Sequence, residues 1–79
     1  YTRREFESCL QVQERIVQLQ PESPAEWRDL GVLLLLTGRP IRASEVLKQL
    51  LQDFPEFSDR NSVEGYLKQA REELVQMIK

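Results

Sequence analysis

Between Trp27 and Pro55 the chain sets large, small and helix-breaking residues at fixed offsets: Trp27, Leu30-Gly31 and Leu34, then Gly38, then Ala43 and Leu47, then Pro55. Steps of three and four are the period of a helix, on which such neighbours share a face. Gly38 and Pro55 interrupt that period. The segment therefore reads as two helices joined by a tight turn, neither of which buries its apolar stripe without the other. Inside the first helix Gly31 costs about 1 kcal/mol of helix propensity relative to alanine. Such a penalty is offset if another helix comes close to the backbone there, and Ala43, the small residue of the following helix, is the expected neighbour.

The same reading extends to both sides and gives four helices, over about residues 2–20, 24–37, 40–54 and 61–78, with no strand-like alternation. The first carries Phe6, Cys9 or Leu10, Val12 or Gln13, Ile16 or Val17, and Leu19 at helical steps. The second has a chemically marked start. Ser23 is placed to cap it, Pro24 has its φ preset for the first turn, and Glu26 stands where a capping box needs it. Pro40 suits the first turn of the third, and Pro55 ends it. Asn61 or Ser62 is the expected cap of the fourth, whose apolar side is Val63, Leu67, Ala70, Leu74 and Met77 or Ile78. On its polar side Glu64 precedes Lys68 in the favourable order for an ion pair.

Bulk properties narrow the function. Seventy-nine residues make one small domain, and 41% hydrophobic with 30% charged residues is the balance of an ordinary globular chain. The longest apolar run, Val32–Leu36, falls far short of the roughly 20 residues that span a bilayer. No membrane role is expected. Eleven basic and thirteen acidic residues are interspersed instead of forming a cationic stripe, which argues against nucleic acid. Arg3-Arg4 is followed at once by Glu5 and Glu7 and reads as a solvated helix end.

Enzyme chemistry finds little support. There is no histidine, the commonest general base and transition-metal ligand. Glu72-Glu73 and the Glu5/Glu7 pair point apart on a helix, and Ser8, Ser44, Ser58 and Ser62 have no neighbouring base. Three scattered glycines make no phosphate loop. No catalytic, cofactor-binding or metal-binding residue is expected. The single cysteine, Cys9, makes no internal disulfide and is expected to be a buried, inert thiol.

Sliding the chain by 34 residues places Cys9 on Ala43, Val12 on Val46, Ile16 on Leu50, Val17 on Leu51 and Pro21 on Pro55. The first helix thus looks like the second half of a preceding repeat, with its first half upstream in a longer protein. Sliding forward puts Gly65 on Gly31 but Asn61 on Trp27 and Glu64 on Leu30. The fourth helix reads as a terminal cap.

Trp27, Leu30, Gly31, Gly38, Ala43 and Pro55 in this order resemble the tetratricopeptide repeat, strongly over residues 24–57 and as a half repeat over 6–23. The chain departs from the family pattern in having Leu34 for tyrosine, Leu47 for phenylalanine and Pro40 for an aromatic residue. The resemblance implies an all-α, right-handed α-α superhelix of antiparallel helices: a half repeat, one full repeat and a capping helix. It also implies that Trp27 packs between the helices of its own repeat.

Members of that family are similar in holding peptides or partner helices on an inner surface. Carried onto this chain, that surface comprises Arg28, Val32, Leu35 and Leu36, with Tyr66 and Gln69 beside them, a mostly apolar groove with one cation. The implied function is a non-catalytic protein-interaction module, inside the cell, cytoplasmic or organellar (plastid included), with a protein partner and no cofactor. Two rivals stand beside it: a homodimerising module, and a structural carboxy-terminal extension of an upstream catalytic domain. The second rival follows from the layout, which also resembles the repeat extensions of some proteins with a transglutaminase-like domain.

Overall fold

The computed structural model describes residues 3–78, which form four α-helices: α1 (Arg3–Leu19), α2 (Pro24–Leu36), α3 (Pro40–Asp53) and α4 (Arg60–Ile78). Thr2, the expected start of the first helix, lies outside the described residues, as do the side chains of Arg3, Met77 and Ile78. Each helix packs on the next in sequence, and α2 also touches α4. Short connections leave antiparallel neighbours as the natural arrangement. The result is the all-α stack of a half repeat, a full repeat and a closing helix.

The helix ends show how the chain enforces this. Proline opens α2 and α3, where a missing N–H is no loss. Ser23 takes the extended conformation of a cap residue but makes no side-chain capping bond. Its expected capping-box partner, Glu26, is used elsewhere: Gln13 Nε2 on α1 donates to both Glu26 Oε2 and Glu26 O, each at 2.8 Å. At the other end of α2, Gly38 at φ 76° lets its own N–H reach Leu35 O and that of Arg39 reach Leu34 O. Thr37 Oγ1 donates to Leu33 O as well. The fourth helix starts at Arg60, so Asp59 stands at its N-terminus in place of Asn61 or Ser62. Glu64 pairs with Arg60 at 3.0 Å and not with Lys68.

Leu34, Leu47 and Val63 are completely buried at the centre of the stack, and Trp27 and Tyr66 border both of the core clusters these helices build. The face of α4 matches expectation, with Val63, Leu67 and Ala70 buried. One expectation is refined and one corrected. A Cβ placed on Gly31 would lie 2.7 Å from Leu47 Cγ, so the side chain seated closest over that glycine is Leu47, one turn along α3 from the expected Ala43. On α1 the buried residues are Leu10, Gln13 and Val17, while Cys9, Val12 and Leu19 are exposed. The 34-residue alignment put Cys9 in the place of Ala43, but α3 is packed closely between α2 and α4, whereas α1 is packed closely on α2 only, reaching α3 through ion pairs and facing α4 across an open groove. A helix packed closely on one neighbour turns only one stripe inward. The start of α3 adds ionic ties to α1, Arg39 to Glu7 at 2.8 Å and Arg42 to Glu14 at 3.1 Å.

Candidate functional site

Where α1, α2 and α4 meet, they leave an open cavity of about 500 Å³. Cys9 and Gln13 come from α1, and Arg28, Asp29, Val32 and Leu33 from successive turns of α2. Tyr66 of α4 and Asp59 of the preceding loop complete the wall. Position follows from period: 28 and 32 are one helical turn apart, as are 9 and 13, so each helix presents a pair to the same space. Val32, Leu33 and Tyr66 are all half-buried, which makes the middle of the groove apolar but reachable.

One end of the groove is a charge cluster. Arg28 Nη1 donates to Asp59 Oδ2 at 2.7 Å, while Nη2 and Nε donate to Asp29 Oδ1 at 3.0 and 3.2 Å. The hydrogen bond from Arg28, followed by that from Ser62, holds the Asp59 carboxyl below the usual carboxylate value. Those to Asp59 and Asp29 in turn raise Arg28. The guanidinium is thereby enclosed by two carboxylates of its own chain, and one cation against two anions leaves this end slightly acidic. At the α1 side Gln13 has committed its amide N–H groups to Glu26. What remains for a visitor is the apolar strip and the outward lone pairs of Asp29 and Asp59.

A family model of the tetratricopeptide repeat matches residues 1–70. The chain belongs to the tetratricopeptide repeat family. Comparison with curated proteins and with solved structures gives no match. Membership carries the general role of a protein-interaction module in a family that is for the most part non-catalytic. Among the described residues no helix is long and apolar enough to cross a membrane.

Of the residues expected on the inner surface of this tetratricopeptide repeat, Arg28, Val32 and Tyr66 come together in the groove. Leu35 does not, because only 8% of it is exposed and it belongs to the core. Leu36 is more than half exposed but sits at the far end of α2, near Gly38, Pro40 and α4 residues Glu73 and Gln76. Gln69 is exposed on α4 and lines neither of these cavities. The five-residue apolar run thus divides: Leu34 and Leu35 are core, Val32 and Leu33 line the groove, and Leu36 faces outward. Sequence reasoning missed Cys9, Gln13, Asp29, Leu33 and Asp59. The pairing of Cys9 with Gln13 at one helical turn was available as a signal, whereas nothing local linked Asp59 to Arg28 across 31 positions.

Proposed function

We propose that the groove between α1, α2 and α4 holds a segment of another protein, extended or helical, by its apolar side chains. The observation that carries this reading is the half-buried strip of Val32, Leu33 and Tyr66 in a cavity about 500 Å³ in volume, within the range of pockets that take specific ligands. Arg28 contributes indirectly: with three of its five N–H groups bonded to Asp29 and Asp59 and its charge offset by both, it positions these carboxylates to accept hydrogen bonds from backbone amides or cationic side chains of the segment. Acidic tails are poor candidates, since the groove offers them no unengaged cation.

Cys9 supplies a test within the groove itself. Proteins captured by the intact chain are purified and their affinity is measured for the wild type, for Val32→Asp and for the chain alkylated at Cys9 with a bulky maleimide. Loss of about tenfold or more in both altered forms, with helical circular dichroism retained, supports the reading. Equal affinity in all three removes it. Sedimentation in dilute solution separates a second copy from a different partner: a doubled mass abolished by Val32→Asp assigns the groove to self-association.

A further inference from the structure

We propose that a trough along α3, beside Trp27, is a second docking surface that takes a basic amphipathic helix of a partner protein. The trough is a cavity of about 330 Å³. Its floor is a row at four-residue steps, Val46, Leu50 and Phe54. The parallel row Glu45, Gln49 and Asp53 forms the rim, and Trp27 of α2 closes the opposite side. Both rows run about 12 Å along α3 at the rise of a helix.

Three properties specify the occupant. The indole N–H of Trp27 is already bonded to Pro21 O at 2.8 Å, so the residue, only half-buried, presents ring and no donor. Apolar side chains, and cations lying over the ring face, are what such a wall attracts. The rim is anionic. Among the described residues neither Glu45 nor Asp53 has a cationic partner, Asp53 accepting a hydrogen bond only from Gln49 Nε2 at 2.9 Å, and no basic side chain lines the trough. Finally, the two rows repeat at the pitch on which a helix offers its own i, i+4 anchors and flanking charges. Leucine-type anchors on the floor with lysine or arginine along the rim satisfy all three. Acidic segments and anionic lipid surfaces are repelled by the same carboxylates.

This surface is independent of the groove proposed above, because Arg28 and Val32 stand on another face of α2 from Trp27, Leu30 and Leu34. Trp27 is the sole tryptophan and reports on the trough directly. The intact chain is titrated with a tryptophan-free, helix-forming peptide carrying leucines at i, i+4 and flanking lysines, and with its glutamate counterpart. Expected are a saturable change in Trp27 emission with the lysine peptide, amide shifts at Val46, Leu50 and Phe54, and binding about tenfold tighter than for the glutamate peptide at low salt. The exposed double variant Glu45→Lys, Asp53→Lys reverses that order, and Val46→Ser weakens the lysine peptide without touching the charges. The proposal is overturned by the absence of a saturable change, by equal affinity for the two peptides, by an unaltered order in the double variant, or by amide shifts centred on Cys9, Val32 and Tyr66.

Discussion

The side chain of Leu47 sits directly over the backbone of Gly31, within 2.7 Å of where a Cβ would be. Leu47 is wholly buried and has nowhere to retreat. Gly31→Ala should therefore destabilise: overpacking costs about 1–3 kcal/mol against a helix-propensity gain of about 1 kcal/mol. Urea unfolding of a double-mutant cycle with Leu47→Ala checks this. Leu47→Ala alone costs about 2–5 kcal/mol, and in that background Gly31→Ala should become neutral or stabilising. Additive effects would show that the two residues do not meet.

The other two glycines should respond in opposite directions. Neither has an atom within 4 Å of a built Cβ, so only backbone conformation distinguishes them. Gly38 has φ 76° at the end of α2, where alanine is strained by about 1–2 kcal/mol. Gly65 lies within α4 in open space, and alanine there should stabilise by about 1 kcal/mol. Melting temperatures of Gly38→Ala and Gly65→Ala on opposite sides of the wild type are the expected result.

Acid should loosen the link between α2 and the start of α4. Asp59 titrates below its ordinary value of 3.8 because Arg28 and Ser62 bond its ionised form. The folded chain thus binds fewer protons in that range, so the stabilisation is complete above the ordinary value and is lost as pH falls through the lower, folded one. The stability gap between wild type and Asp59→Asn should stay constant from neutral to mildly acidic pH and close only in strong acid. Because the pair is solvated, salt should narrow the gap at every pH.

Cys9 should react in the native state. Its thiol is exposed on the groove side of α1, so a thiol reagent such as Ellman's should modify it without prior unfolding. Comparing native and urea-unfolded rates tests this. Modification that waits for unfolding would mean that α1 is turned about its axis.

Much of the architecture was legible because it is written in local steps. Pro24, Pro40 and Gly38 stand at the helix ends they imply, and the three- and four-residue spacing of Val63, Leu67 and Ala70 is the buried face of α4. The groove was half legible for the same reason: the turn-by-turn pair Arg28 and Val32 follows from α2 alone. What escaped depends on neighbours. On α1 the pattern allowed Cys9 or Leu10 and Val12 or Gln13, and only the presence of a single closely packed helix selects Leu10 and Gln13. Gly31 announced a close approach, but Ala43 and Leu47 lie one turn apart on the same face, and it is the longer side chain that comes nearest. Asp59 is brought to Arg28 by the turn of the whole hairpin, which no spacing rule encodes.

The engagement of Arg28 with Asp29 and Asp59 has a consequence for selectivity. A guest bearing carboxylates would have to evict residents already in place and, in dislodging Asp59, would unfasten the first turn of α4. On the proposed reading, discrimination at this mouth would work by refusal, with shape and oiliness deciding among those admitted.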